Sequence, residues 1–228
     1  MSSPAENLIA VLDRIRQAER RFQRQPGSVT LLAVSKGQPA AAMAALAGAG
    51  QRCFGESYLQ EALPKQESLR RFELEWHFIG PIQANKTRAI AAHFDWVHSV
   101  ARFKIAQRLS DQRPPALPPL NVCLEVNISQ ESSKHGLDPA ELHTVARAVA
   151  TLPRLRLRGL MAIPAPSAEF TVQRRPLARL RMLQEKLIDA GLTLDTLSMG
   201  MSADLEAAIA EGATLVRIGT ALFGPRTG

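Results

Sequence analysis

The chain has 228 residues, 46% of them hydrophobic, which is enough apolar material for one full core and too much for a disordered chain. Its formal charge of +7 suits a nucleic acid, a membrane surface or an anionic small molecule. Only one tyrosine and two tryptophans are present, however, and no segment interleaves aromatics with basic residues as a base-stacking platform does, which speaks against nucleic acid.

Leu8, Leu12, Ile15 and Phe22 recur at helical spacing, with Arg14, Arg16, Arg20, Arg21 and Arg24 between them. This predicts a water-facing amphipathic helix. Glu6, Asp13 and Glu19 argue against a transit peptide, and no signal-peptide pattern precedes them. With no apolar run of membrane-spanning length, the expectation is a cytoplasmic protein without membrane attachment. Short apolar runs then predict strands at 30–34, 52–54, 76–79, 96–98, 120–126, 155–161, 193–197 and 214–218. Between them lie predicted helices at 40–49, 56–71, 82–92, 101–112, 138–151, 169–190 and 203–211. Asp138 with Pro139, and Ser202 with Asp204 and Glu206, read as helix starts. Gly191 reads as a helix stop. The Pro-rich stretch 113–119 reads as a helix-to-strand loop on the face away from chemistry. Eight strands alternating with helices predict a single (β/α)8 TIM barrel over residues 1–228 with an extra N-terminal helix. An open doubly wound sheet is the alternative.

In such a barrel the chemistry sits at the C-terminal strand ends. Lys36 follows the first strand and precedes Gly37 and Pro39, so an amine stands where a buried sheet opens into a loop. A lysine that loses hydration there becomes a nucleophile for carbonyls; the alternative is a solvated strand-edge lysine. The seventh strand ends in Ser198-Met199-Gly200-Met201-Ser202 and the eighth in Arg217-Ile218-Gly219-Thr220. Loops after these two strands often cradle phosphate, with backbone N–H groups, hydroxyls and a helix start as donors; the alternative is a capped turn. Arg217 is placed either in the barrel mouth or in a salt bridge with Glu211 or Asp204. Cys53 and Cys123 read as buried free thiols of a reducing compartment. His77, His93, His98, His135 and His143 read as unclustered, so no metal site is expected.

Taken together these stretches resemble the pyridoxal phosphate homeostasis protein family, whose barrel is that of the N-terminal domain of alanine racemase. The resemblance rests on Ala33-Val34-Ser35-Lys36, on Cys53-Phe54-Gly55-Glu56-Ser57-Tyr58 and on Trp76-His77-Phe78-Ile79-Gly80-Pro81. It continues through Ser133-Lys134-His135-Gly136 and Arg158-Gly159-Leu160-Met161-Ala162-Ile163-Pro164. Its strongest part runs from Leu197 through Ser198-Met199-Gly200-Met201-Ser202 to Ala208, and on to Arg217-Ile218-Gly219-Thr220. It implies pyridoxal 5'-phosphate (PLP) as cofactor, held by Lys36 as an internal aldimine. It further implies a phosphate cradle from Ser198, Met199, Gly200, Met201, Ser202, Gly219 and Thr220, with Arg217 facing the pyridine nitrogen. The implied role is a carrier or regulator of the cofactor pool with no established turnover, with PLP-requiring apo-enzymes as the expected recipients.

Two positions depart from the family: Ser57 replaces its usual Asn, and Ala101 its usual Asp. The first places an amide contact near the cofactor in doubt, the second a helix cap. Lys86 and Lys134 are further amines expected on the same rim. The rival function is a single-domain PLP-dependent racemase. Racemisation needs a base on each face of the substrate, and in alanine racemases the second is a tyrosine from a β-rich domain. This chain stops soon after its eighth strand, and its one tyrosine, Tyr58, is predicted inside a helix. The expectation is a monomeric binding protein rather than an enzyme.

Overall fold

Ser3 opens the first helix, α1 (Pro4–Arg21), with a capping box: its hydroxyl accepts from the Glu6 N–H while the Glu6 carboxylate accepts from the Ser3 N–H. Leu8, Val11, Ile15 and Ala18 form the buried stripe of this helix. The computed structural model describes residues 3–129 and 135–224. Eight strands follow α1: β1 (Thr30–Val34), β2 (Cys53–Glu56), β3 (Glu75–Phe78), β4 (Trp96–Val100), β5 (Leu120–Glu125), β6 (Leu155–Met161), β7 (Thr196–Ser198) and β8 (Leu215–Ile218). The helices between and after them are α2 (Ala40–Gly48), α3 (Leu59–Ser68), α4 (Thr87–His93), α5 (Phe103–Gln112), α6 (Leu142–Ala150), α7 (Phe170–Asp189), α8 (Leu205–Ala210) and α9 (Thr220–Phe223).

The strands are parallel and close in sequence order, β8 returning to β1 with Leu32 opposite Arg217 and Ala33 opposite Ile218. This is the (β/α)8 barrel, not the open sheet. Side chains alternate along a strand. Leu31, Ala33, Phe54, Trp76, Phe78, Val97, Leu124, Leu160 and Val216 therefore join the apolar layer under the helices. The opposite parity lines the interior and includes Cys53, Glu75, His77, Trp96, His98, Cys123, Met161, Ser198 and Arg217. Trp96, Cys123 and Met161 form an apolar cluster there. Among the described residues no helix is long and apolar enough to cross a membrane.

Several boundaries differ from expectation. Gly55 and Glu56 stay extended because they pair with His77 and Phe78, so α3 starts at Leu59 rather than at residue 56. A 3-10 turn, Ala84–Lys86, precedes α4. The Asp138 carboxylate accepts from the Ala140 N–H in a separate turn, and α6 starts only at Leu142. Strand β7 reaches Ser198, which pairs with Leu215. The cap of α8 is Asp204, not Ser202; its carboxylate accepts from the Met201 N–H at 2.7 Å and folds the β7–α8 loop back on itself. Gly191, at φ +92°, follows α7 as expected. The 113–119 loop lies at the entry to β5, where buried Arg113 donates to the Ala91, Phe94 and Pro118 carbonyls.

Candidate functional site

Lys36 is fixed through its neighbours. The Ser35 hydroxyl donates to Glu56 Oε1 at 2.7 Å, and Lys65 Nζ donates both to that oxygen (2.8 Å) and to the Ser35 carbonyl (2.9 Å). Glu56 is wholly buried between β2 and α3, and burial pushes its carboxyl above the usual range. On the other side the Gly37 N–H donates to Glu61 Oε2 at 2.8 Å. One turn of α3 therefore holds both flanks of the lysine, while the odd–even parity of β1 turns Val34 and Lys36 inward.

Lys36 stands between two cavities of about 300 Å³ each. The first is lined by Val34, Lys36, Ile79, Ile163, Met201, Ser202, Ala203, Arg217, Gly219 and Thr220, so it reaches from the lysine to the loops after β7 and β8. The second is lined by Lys36, Ser57, Tyr58, Gly80, Pro81, Ser99, Glu125, Asn127 and His135. Burial raises the Glu125 carboxyl above its ordinary value. A third hollow beside Ser57 and Tyr58 is bordered by Lys86.

Arg217 forms the inner wall of the first cavity. It is buried without a carboxylate in hydrogen-bond reach among the described residues. Nη1 donates to the Ser198 carbonyl (2.6 Å) and hydroxyl (2.8 Å), and Nη2 to the Ala162 carbonyl (2.9 Å). Burial pulls its pKa down to about 10, so it remains a cation at neutral pH. Glu211, the expected salt-bridge partner, is instead held by Arg174 and Arg181. Gly200, at φ +95°, lets the β7–α8 loop press onto α8: a Cβ there would sit 2.5 Å from Ala208 Cβ.

A half-buried amine and a buried guanidinium on one wall, facing two loops rich in N–H and hydroxyl donors, suit a carbonyl compound that carries a phosphate. Residues 7–227 match the profile of the family described as Alanine racemase, N-terminal domain. The chain is 64% identical over 226 residues to the pyridoxal phosphate homeostasis protein of Pseudomonas aeruginosa, covering 99% of this chain and 97% of that one. To the protein of the same name from Escherichia coli K12 it is 54% identical, covering 99% and 98%. The chain belongs to the pyridoxal phosphate homeostasis protein family. The structure of PipY from Synechococcus elongatus PCC7942, solved with PLP bound, superposes with a TM-score of 0.85 at 38% identity, over 97% of this chain and all of that one. Alanine racemase of Clostridium difficile 630 shares the fold, at a TM-score of 0.73 and 14% identity, this chain spanning 57% of it.

The residues that the family resemblance singles out fall into two groups. Lys36, Met201, Ser202, Arg217, Gly219 and Thr220 line the first cavity. Ser198, Met199 and Gly200 lie beneath it. The Ser198 hydroxyl is engaged by Arg217 and His98 instead of being open to a phosphate, and the Met199 side chain is in the core. Tyr58 caps α3 rather than sitting inside it, and lines the second cavity with Lys36. Ala101 precedes α5, whose start has no side-chain cap. Lys134 lies outside the described residues. The histidines are not all apart: His77 and His98 touch at 2.8 Å in the barrel interior. Cys53, Glu75 and His77 also offer ligand atoms within 4.8 Å of one another at the barrel floor. Cys53 is only half-buried and Cys123 fully buried, both are free, and burial pushes each thiol up to about 12. The strand parity Glu75-x-His77 and Trp96-x-His98 was the available signal for an inward histidine pair.

Proposed function

We propose that the first cavity binds pyridoxal 5'-phosphate and that the protein buffers or hands over this cofactor inside the cell. The observation that carries the reading is the joint placement of Lys36 and Arg217 on one wall of a cavity whose far end is formed by Met201–Ala203 and Gly219–Thr220. The volume of about 300 Å³ fits a single small cofactor. Names of relatives and the PLP-bound PipY structure support the same choice. When bound, the cofactor would supply an aldehyde with which the Lys36 amine condenses to a Schiff base, releasing water.

Each residue has a task in this reading. Lys36, braced at Ser35 and Gly37, presents the amine. Ser202 and Thr220 hydroxyls and the opening N–H groups of α9 meet the phosphate. Arg217 donates toward the pyridine nitrogen and keeps it unprotonated, which disfavours the electron sink that racemisation uses. A weak sink suits storage better than turnover. A second reading, a PLP enzyme, draws on Tyr58, which lies beside Lys36 in the neighbouring cavity.

The purified protein loaded with PLP is expected to show a violet-region band, and borohydride is expected to fix the cofactor to the peptide containing residue 36. Lys36→Ala is expected to lose both. An unchanged adduct in Lys36→Ala, mapped to neither Lys86 nor Lys134, would remove the assignment. Saturable exchange of amino-acid α-protons into deuterated water would favour the enzyme reading. Cofactor transfer to an apo-enzyme faster than release into solution would favour delivery.

A further inference from the structure

The barrel interior holds a continuous polar chain that the proposed function leaves unused. From the floor upward, Glu75 Oε1 lies 2.8 Å from His77 Nε2, and His77 Nδ1 lies 2.8 Å from His98 Nε2. His98 Nδ1 lies 2.8 Å from Ser198 Oγ, which accepts from Arg217 Nη1. Four strands contribute: β3, β4, β7 and β8. His77, His98, Ser198 and Arg217 are all at most 5% exposed. The His77 ring is clamped by Trp96, stacked at 5.4 Å with 9° between planes, and the Arg158 guanidinium covers Trp96 from outside.

For a line of neutral rings, the two ends fix every proton between them. Arg217 can only donate, and a carboxylate at Glu75 can only accept. The hydrogen bond from His77 holds the Glu75 carboxyl below its ordinary value, and burial holds the His98 imidazole well below its own, so the ring is neutral. In its neutral form His77 carries its proton on Nε2, facing the Glu75 carboxylate, and accepts at Nδ1. His98 then donates from Nε2 and accepts at Nδ1, and the Ser198 O–H donates to it. That leaves Ser198 with lone pairs only for Arg217. A reversed tautomer on either ring would set two lone pairs or two N–H groups face to face in a buried site, which is expensive.

We propose that Glu75, His77, His98 and Ser198 form a polarised positioning relay for Arg217. The relay commits the guanidinium as a donor in one orientation at the cavity wall, and through it sets the proton affinity of the cofactor held at Lys36. This rests on the reading of that cavity as the PLP site. The guanidinium has five N–H bonds. Three are spent on Ser198 and Ala162, leaving two for the cavity that Arg217 lines. A Ser198 hydroxyl released from His98 would be free to rotate and compete for those orientations. Other ionisable groups near the chain are Cys53 from β2, Asp95 before β4, Cys123 and Glu125 from β5, Arg158 from β6 and Asp204 before α8.

Two measurements test it. Imidazole 15N–1H correlation spectra of the apo-protein at neutral pH are expected to show both His77 and His98 protonated on Nε2 only; an Nδ1–H tautomer or a cation at either position overturns the relay. The absorbance of the PLP-loaded protein is then titrated with pH. Glu75→Met, at the half-exposed floor and remote from the cavity, and His98→Leu are each expected to move the apparent pKa by at least about half a unit, within the roughly one-unit spread environments commonly impose. Glu75→Gln and His98→Gln, whose amides still accept and donate in the required order, are expected to restore it; they also keep the test open should His98→Leu fail to fold. Wild-type titration curves in Glu75→Met overturn the proposal. A wild-type protein that takes up no PLP overturns the reading of the cavity and the cofactor half of the relay with it. Wrong tautomers in a protein that does load overturn the relay alone.

Discussion

Lys36 owes its place to residues that never line the cavity. Ser35 and Gly37 are both tied to α3, one through the buried Glu56–Lys65 pair and the other through Glu61. Among the described residues Glu56 Oε2 has no hydrogen-bond partner, so the buried carboxylate depends on Lys65 and the Ser35 hydroxyl at its other oxygen. Removing one member of a buried pair leaves the other charge uncompensated. Lys65→Met is therefore expected to lower unfolding free energy by about 3–5 kcal/mol in urea titrations at neutral pH. The pH dependence of that loss has a definite sign. Burial already raises Glu56, and losing Lys65 raises it further. An acid whose folded pKa is raised binds its proton more readily when folded, so the variant regains stability as the pH falls through the folded value toward the unfolded one. Glu56→Gln in the Lys65→Met background is expected to recover part of the loss at neutral pH. A Lys65→Met protein with wild-type stability would show that the bracing is incidental.

At the level of elements, α1 is attached to the barrel at its end of closure, against α2, α8 and α9. Arg14 grips Glu206 of α8 with two hydrogen bonds, at 2.6 and 2.7 Å, and Asn7 donates to the Leu222 carbonyl of α9. The Arg14 hydrogen bond holds the Glu206 carboxyl below its usual range. A depressed acid contributes stability above its unfolded pKa and loses it as the pH falls through the folded one. Both side chains are about a third exposed, so a double-mutant cycle of Arg14→Met and Glu206→Gln is expected to give about 0.5–1 kcal/mol at pH 7. The coupling should shrink below about pH 4.3. Coupling that is equal at pH 7 and in acid would exclude the ion pair as its source. The helix itself was readable from its apolar stripe and its Ser3–Glu6 cap. The starts of α3, α6 and α8 were not, because strand pairing at Gly55–Glu56 and separate turns at Asp138 and Asp204 outweighed local cap preferences. Likewise Lys36, Ser202, Arg217, Gly219 and Thr220 were legible as strand-end residues. The bracing of Lys36 by Glu56, Glu61 and Lys65 was not, since it joins a strand face to a helix face that no local pattern relates.

The molecule as a whole departs from an ordinary parallel barrel in what fills it. Barrel interiors are usually layers of branched apolar side chains, whereas here a hydrogen-bonded line of two histidines, a serine and an arginine runs from the floor to the mouth. Such a network is tolerable only when every member is satisfied, and the single consistent proton order described above meets that condition. It also makes the whole fold sensitive to acid. His98 is fully buried and its pKa is pushed well below the ordinary value by burial, with the neighbouring His77 and Arg217 adding to the effect. A base with a depressed folded pKa stays neutral in the native state while the unfolded chain takes up the proton, so stability is complete above the unfolded pKa of about 6.5 and falls as the pH drops below it. Between pH 7.5 and 5.5 this one residue is expected to remove about 1.4 kcal/mol from the unfolding free energy. Denaturant titrations of the wild type and of His98→Gln at the two pH values isolate the effect, because glutamine keeps the hydrogen bonds but cannot take up a proton. The wild-type difference should exceed that of His98→Gln by that amount. Equal differences in the two proteins would mean that His98 is protonated alike in the folded and unfolded chains, and that the interior line is not the closed, singly ordered network its geometry describes.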